Sequence, residues 1–267
     1  MTPSEADAYL ARIGLDTAPA PDLGGLAALM EAHLLRVPFE NLSIIAGRGV
    51  ALDEDALFDK IVRRRRGGYC YELNGLFGAL LDRLGFERRP VSARVWYRGP
   101  AETPGLTHTL NVVTLPQGEV LADVGFGGTT ARVPVPVGDD TRARDADGEV
   151  RLTLDAAHGY RLARHTPEGW EDQFTTDARR AYPSDAALGS HFMSTHPSSH
   201  FTQGAVVGLF TSDGRDTLVG RTLRVRRGWA VEERVLSDDE VRGALRDRFG
   251  LNLGSEEDAV IAGLPPA

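Results

Sequence analysis

The amino-acid sequence predicts an α+β fold. In the first third of the 267-residue chain, apolar residues recur every three or four positions, as on the buried face of a helix. The pattern then changes to short alternating runs, which are typical of β-strands. Because helices and strands occupy separate stretches, the order favours α+β over an alternating parallel α/β sheet. The length is compatible with one or two domains, or with three small ones.

Three helices are predicted in the first third. Aspartates can cap the first two, a proline ends the first, and glycines end the other two. The second helix closes with four consecutive arginines, which we interpret as a solvated helix end because consecutive positions face different directions. The three stretches are 22–37, 53–66 and 70–84.

Short β-type runs follow the third helix. A stretch rich in Pro, Gly and Asp, 134–148, interrupts them and predicts a loop. Near the end of the chain, Ser237 and Glu240 form a capping box that opens one more helix, and Gly250 ends it. The predicted strands are 91–97, 107–115, 120–124, 150–154, 160–163, 201–210, 217–226 and 229–236.

The composition excludes several classes of protein. The formal net charge of −8 argues against a nucleic-acid-binding domain, which normally carries a basic surplus. The single cysteine excludes an internal disulfide and a zinc site built from several cysteines. The first residues lack the pattern of a secretion signal, and no apolar run approaches the roughly 18 residues of a membrane helix. We therefore expect a cytoplasmic protein without membrane or nucleic-acid partners.

Common catalytic and nucleotide-binding motifs are missing. The only lysine, Lys60, is not part of a phosphate-binding P-loop, and no complete G-x-G-x-x-G follows a strand. The sequence also lacks the G-x-S-x-G elbow of α/β-hydrolases and the H-E-x-x-H pair of zinc proteases. Without these motifs, the single cysteine is the main candidate for a catalytic residue.

Cys70 follows two glycines and begins a predicted helix. The positive end of a helix favours a thiolate, and glycines leave room for a substrate to approach. By itself, a lone cysteine is more often a small buried apolar residue. A nucleophilic cysteine also needs a base and a group that orients the base.

Two residues on predicted strands could supply these groups. His108 lies in a strand-like run, and Asp123 follows two apolar residues at the end of the next run. A buried aspartate is costly without a partner, which suggests that Asp123 has one. On adjacent antiparallel strands, Asp123 could hold one nitrogen of His108 while the other faces Cys70.

Residues 66–74 and 123–127 carry a family resemblance. The first segment fits R-G-G-x-C-x-E-x-N and the second reads D-V-G-F-G, two motifs of the arylamine N-acetyltransferases, and Thr107-His108 fits the histidine strand of that family. Further similar segments are 9–14, 38–42 and 194–199, so the resemblance spans about 9–210. The motifs occur in the right order, and they reverse the preference for a merely buried Cys70.

The resemblance implies an N-terminal helical bundle (1–86), a central β-barrel (87–195) and a C-terminal α/β lid (196–267). Cys70, His108 and Asp123 would form a catalytic triad between the first two parts. Acetyl-CoA would be the acyl donor, with no tightly bound cofactor, and a small aromatic amine, hydrazine or hydroxylamine would accept the acetyl group from the cysteine. The family comparison also implies a role in xenobiotic metabolism.

Other polar, charged and aromatic residues are expected to have structural or binding roles. We interpret Arg12 and Glu40 as a structural ion pair that Arg65 could join, and we expect Glu72 and Asn74 to hold neighbouring backbone. His191, His196 and His200 lack an acidic partner pattern, so no metal site is predicted. By family comparison, Gly105, Thr107 and Phe201 would contact CoA, and five residues would wall the acceptor pocket: Phe39, Tyr69, Val95, Phe126 and Phe201.

Three alternatives remain open at this point. An amide synthase that closes a macrolactam would keep the same scaffold and triad. A thiol hydrolase could also use the Cys-His-Asp set. A scaffold protein without enzymatic activity is the third alternative.

Overall fold

The structure, a computed structural model, describes residues 1–129 and 131–264. The helices in these residues are α1 (Pro3–Ile13), α2 (Leu23–Arg36), α3 (Leu42–Ile45), α4 (Glu54–Phe58), α5 (Cys70–Arg83), α6 (Pro183–Thr195), α7 (His200–Gln203), α8 (Asp238–Gly243) and α9 (Glu257–Ala262). π-Helical turns extend α4 (Asp59–Arg63) and α8 (Ala244–Arg248), and a 3₁₀ turn (Gly254–Glu256) precedes α9.

Thirteen strands in the described residues form two antiparallel sheets. They are β1 (Phe39–Glu40), β2 (Glu87–Val95), β3 (Leu106–Leu115), β4 (Gly118–Ala122), β5 (Val135–Pro136), β6 (Thr141–Asp145), β7 (Gly148–Asp155), β8 (Gly159–Thr166), β9 (Gly169–Thr176), β10 (Val206–Thr211), β11 (Gly214–Val219), β12 (Thr222–Arg227) and β13 (Ala230–Val235).

The larger sheet has the order β5-β4-β3-β2-β9-β8-β7-β6 and curls into a nearly closed barrel, because β5 and β6 at its two ends lie against each other. The second sheet has the order β1-β10-β11-β12-β13. The α+β prediction is therefore confirmed. Strand β1 joins the N-terminal region to the second sheet, and the division at 86 and 195 stays a prediction.

Local capping explains why the N-terminal helices begin where they do. The carboxylate of Asp22 accepts the N–H of Gly25 at 2.8 Å, and Asp53 accepts the N–H of Ala56 at 2.9 Å. Each bond satisfies one of the unpaired N–H groups in a helix's first turn. The predicted starts of α2, α4 and α5 are confirmed.

Three apolar cores hold the layers together. The first packs α1, α2, α4 and α5 against β3 and β4, the second fills the barrel, and the third lies between the second sheet and α8 and α9. The first core places the start of α5 against the barrel wall. None of the helices in 1–129 and 131–264 has both the length and the hydrophobicity to cross a bilayer.

Several sequence predictions are wrong in detail. The predicted loop 134–148 contains β5 and β6, since antiparallel pairing of β6 with β7 outweighs its turn-rich composition. The predicted strand 217–226 is the pair β11 and β12, which turn at Gly220 with a φ of +55°. The predicted strand 201–210 begins in α7, because Ser199 caps that turn and the Asn41 amide donates to the carbonyls of Phe201 and Gly204. Helices α1 and α6 and strand β9 lie outside the predicted elements.

Candidate active site

The start of α5 presents Cys70 to the barrel. Two glycines precede it, and a Cβ on the first would lie 1.9 Å from the carbonyl oxygen of Pro38. The second, Gly68, pairs with Phe39, and its carbonyl accepts the N–H of Glu40 at 2.8 Å. The close approach of Gly67 to Pro38 leaves no room for a side chain at Gly67. The hydrogen bond of Gly68 with Glu40 fixes the backbone just before α5. Cys70 is 3% exposed and is the first residue of α5, at its positive end.

Adjacent antiparallel strands hold the other two predicted members of the triad. His108 lies on β3, and Asp123 comes directly after β4, which pairs with β3. The Nε2 atom of His108 lies 2.8 Å from Oδ2 of Asp123, and both side chains are buried. The Nδ1 atom of the ring is the one left for Cys70, whose sulfur lies 3.9 Å from the carbonyl oxygen of Thr107.

The surroundings of His108 favour its charged form. Burial by itself lowers the pKa of an imidazolium, but the charge and hydrogen bond of Asp123 outweigh that effect. A hydrogen bond and a charge interaction with the Cys70 side chain add to the increase. Together they raise the pKa of His108 to about 10. The ring can therefore carry a proton beside the thiol at neutral pH.

Asn74 connects α5, the helix that begins with Cys70, to Asp123. It lies four residues after Cys70 on α5, and its amide donates to Asp123 Oδ1 at 2.8 Å and to the Thr109 carbonyl at 2.7 Å. Its own oxygen accepts the N–H of Val124 at 3.0 Å. The prediction that Asn74 holds backbone is confirmed. Its direct bond to the carboxylate was not predicted, since spacing says nothing of contacts between α5 and β4.

Gly125 lets the loop after β4 lie on α5. A Cβ at this position would lie 2.9 Å from the Cα of Cys70 and 2.7 Å from the amide nitrogen of Asn74. Its N–H also donates to Asp123 Oδ1 at 2.8 Å. The glycine of the D-V-G-F-G segment is thus required by packing, whereas its N–H bond to the aspartate could be made by any residue except proline.

Aromatic rings cover His108. The ring centroid of Phe126 lies 5.1 Å from that of His108 in an edge arrangement, and Phe174 on β9 lies 5.6 Å away. Phe174 also contacts Phe126 at 5.5 Å and pairs across the sheet with Val95. Phe174 is missing from the predicted pocket because β9 is missing from the predicted strands.

The other predicted pocket residues form a second aromatic group. The ring of Phe201 lies 5.8 Å from that of Phe39 and 5.7 Å from that of Tyr69. Tyr69 is fully buried, and its hydroxyl contacts Ser190 on α6. These side chains lie next to the start of α5, because Tyr69 directly precedes Cys70.

Of the residues predicted to contact CoA, Phe201 belongs to this second aromatic group, and the other two precede His108. Gly105 is exposed in the connection between β2 and β3, and Thr107 is half-buried with its carbonyl towards the Cys70 sulfur. In the residues that the structure describes, no group of three or more His, Cys, Asp and Glu side chains is arranged to hold a metal ion.

The predicted ion pair of Arg12 with Glu40 is wrong. Arg12 donates instead to backbone carbonyls of α2 and of the π-helical turn after α4. Glu40 contacts Arg66 at 3.0 Å and Lys60 at 3.9 Å. Arg66 is therefore buried, unlike the solvated helix end that we predicted, whereas the other three arginines of the run are exposed.

Known proteins are similar to this chain over most of its length. Residues 22–258 match the family model described as N-acetyltransferase. The chain is 43% identical to the arylamine N-acetyltransferase of Mycolicibacterium smegmatis, with 92% of this chain and 91% of the relative covered. It is 34% identical to the Escherichia coli enzyme of that name, with 92% and 88% covered.

A solved structure of the Mycobacterium marinum arylamine N-acetyltransferase in complex with CoA is also similar. Its TM-score is 0.92 at 37% identity, and the alignment covers 97% of each chain. The fold, and not only the sequence, is thus shared over nearly the whole length.

Proposed function

Because the chain belongs to the arylamine N-acetyltransferases, a family of acyltransferases, we propose that it acetylates an arylamine, arylhydrazine or arylhydroxylamine with acetyl-CoA through an acetyl-cysteine at Cys70. The observation that carries this proposal is the 2.8 Å bond between His108 and Asp123, beside a cysteine at the positive end of α5. That arrangement provides a nucleophile, a base and an orienting carboxylate. The CoA-bound M. marinum relative supports acetyl-CoA as donor.

In the first half-reaction, the Cys70 thiolate attacks the thioester carbon of acetyl-CoA. A carbon–sulfur bond forms to Cys70, and the bond to the CoA sulfur then breaks. The CoA thiolate leaves with the proton from His108, so His108 becomes neutral. One thioester replaces another, and the exchange has little energetic cost.

In the second half-reaction, the amine nitrogen attacks the acetyl carbon on Cys70. Neutral His108 accepts a proton from the amine as the carbon–nitrogen bond forms. The bond to the Cys70 sulfur breaks, which restores the thiolate and imidazolium pair. Asp123 stabilises the charged ring and keeps Nε2 occupied, so that Nδ1 faces the reaction.

The developing oxyanion needs donors near the sulfur. The Cys70 N–H is suited to this task because it is the first of α5 and has no acceptor within the helix. The acceptor ring would contact Phe39, Tyr69, Val95, Phe126 and Phe201. For the donor, Gly105, Thr107 and Phe201 would contact CoA.

Mass spectrometry of the intact protein mixed with acetyl-CoA tests the proposal. We expect one added acetyl group on Cys70 in the absence of amine, and its loss when an aniline or hydrazine is added. Cys70→Ser should keep the fold and lose the transfer. Substantial transfer by that variant would mean that the nucleophile is wrong.

The same experiment separates the alternatives. A thiol hydrolase would lose the acetyl group as fast without the amine as with it. An amide synthase would show no acetylation by acetyl-CoA and would need a longer acyl donor.

A further inference from the structure

A buried ion network lies behind the start of α5. Lys60, the only lysine in the sequence, lies on the π-helical turn after α4. Its Nζ is 2.7 Å from Oε1 of Glu72 and 3.9 Å from Oε1 of Glu40. Lys60, Glu72 and Glu40 are all buried. Burying such a pair contributes little to stability, because desolvation of the charges offsets their attraction.

The position of Glu72 links the pair to the nucleophile. Its second oxygen, Oε2, accepts the N–H of Tyr69 at 3.1 Å, and Tyr69 directly precedes Cys70. The carboxylate also fills the place of a side chain at Gly68, where a Cβ would lie 2.8 Å from Oε2. Lys60 is therefore linked through Glu72 to the backbone of Tyr69, the residue before Cys70.

The charges around Glu72 show what Lys60 balances. Burial and the neighbouring Glu40 both raise the pKa of Glu72, and Lys60 is the charge that opposes them. Glu40 also contacts Arg66, which in turn contacts Glu256. The titratable groups that face Cys70 are His108, Tyr69 and Tyr71.

We propose that Lys60 is a positioning residue for the Cys70 thiolate. It cancels the charge of Glu72, which would otherwise oppose a second negative charge at the start of α5, and it leaves Oε2 free to hold the Tyr69 N–H. The helix end therefore stays positive towards the sulfur. This inference rests on the proposed role of Cys70 as nucleophile.

The rate at which iodoacetamide alkylates Cys70 in the full-length protein tests it. In Lys60→Met we expect the rate at and above neutral pH to fall by at least about tenfold, because the ionised carboxylate of Glu72, two residues from Cys70 on α5, then lacks its cationic partner. Burial and Glu40 raise the pKa of Glu72, and the variant lacks the charge that opposes them, so the deficit relative to wild type should shrink as the pH falls below that pKa and Glu72 takes up a proton. In the double variant Lys60→Met/Glu72→Gln the rate should return to within about threefold of wild type at every pH.

Arg89→Met is the matched control, because Arg89 pairs with Glu119 on the barrel, away from α5. It should leave the alkylation rate and its pH profile unchanged. A folded Lys60→Met that reacts like wild type, or a double variant no faster than Lys60→Met, would overturn the proposal. If wild type is not acetylated by acetyl-CoA, the proposed function is wrong instead.

If Lys60→Met does not fold, two variants of Glu72 decide. Glu72→Gln keeps an oxygen for the Tyr69 N–H, and Glu72→Ala removes it. We expect the first within about threefold of the wild-type rate and the second at least about tenfold slower. Equal rates for the two would overturn the proposal.

Discussion

Two buried histidines in different regions of the molecule have opposite electrostatics. His108 lies in the barrel wall beside Asp123, and its pKa rises to about 10. His33 lies in the helical core on α2, where burial and the positive charge of Arg12 lower its pKa to about 3. Its Nδ1 lies 2.8 Å from the hydroxyl of Tyr9. In the part of the chain that the structure describes, no carboxylate pairs with it.

Burial does not decide the charge of a histidine in this protein. Both rings are almost inaccessible to water, and burial disfavours the proton in each. The carboxylate of Asp123 outweighs that effect for His108, whereas the Tyr9 hydroxyl brings no charge to His33. The protein therefore uses one buried ring as a charged group and the other as a neutral packing group.

Replacement of the Asp123 carboxylate should have the largest effect on activity among the substitutions that test this difference between the two histidines. In Asp123→Asn, His108 keeps its burial and loses the charge that outweighs it, so we expect kcat to fall by roughly 10³–10⁴-fold. The KM for the amine should change by less than about threefold, because Asp123 acts through His108 and touches no acceptor. Stopped-flow measurement of Cys70 acetylation and steady-state kinetics would separate the two constants.

A change confined to the KM of the amine would contradict the role given to Asp123. Alkylation of Cys70 by iodoacetamide near neutral pH should also slow in this variant. It needs no acetyl-CoA, so it reports on the sulfur independently of donor binding.

Removing the support of Asp123 should have an intermediate effect. Asn74→Ala deletes the donor to Asp123 Oδ1 and leaves the carboxylate in place. The substitution also removes the bonds of Asn74 to Thr109 and Val124. We expect kcat to fall by roughly ten- to a hundredfold, as for other residues that orient a functional group through hydrogen bonds.

Asn111→Ala is its matched control. Asn111 is buried as well, but it donates to the backbone carbonyl of Asn74 and accepts from Arg88, without touching Asp123. It should lower the melting temperature and leave kcat within about threefold. Equal losses of kcat in the two variants would show that Asn74 acts only by supporting the fold.

The sequence was sufficient for features encoded by neighbouring residues. Asp22 and Asp53 cap helices through residues three positions away, so their signals are local. Asp123 could be predicted to have a partner because a carboxylate after two apolar residues is costly to bury alone. The other two members of the proposed triad were predicted from the family motifs.

Contacts between segments that are distant in the chain could not be predicted from local sequence patterns. Lys60 and Arg66 both approach Glu40, and no spacing rule distinguishes these partners from Arg12. Phe174 reaches His108 only because β9 pairs with β2. The pairing energy of β6 likewise comes from β7 and is absent from the composition of 134–148.

The last predicted effect concerns stability rather than catalysis, and it has opposite signs for the two histidines. Below the ordinary histidine pKa of about 6.5, His33 binds a proton in the unfolded chain. In the folded protein, buried His33 does not bind this proton until the pH falls to about 3. Between about pH 6.5 and about pH 3, the free energy of unfolding should therefore decrease by about 1.4 kcal/mol for each unit by which the pH is lowered. His33→Gln should lack this part of the acid slope, and urea unfolding at a series of pH values measures it.

His108 should contribute in the other direction. Its stabilisation is fully present below about pH 6.5 and is lost as the pH rises towards about 10, because the folded state then gives up a proton that it held more tightly than the unfolded chain. Both variants are made in the Cys70→Ser background, so that the thiol adds no proton of its own to the titration. His108→Gln should remove only the alkaline slope and His33→Gln only the acid slope. If either substitution changes both slopes equally, the difference in stability is a packing effect and the charge of the two rings does not explain it.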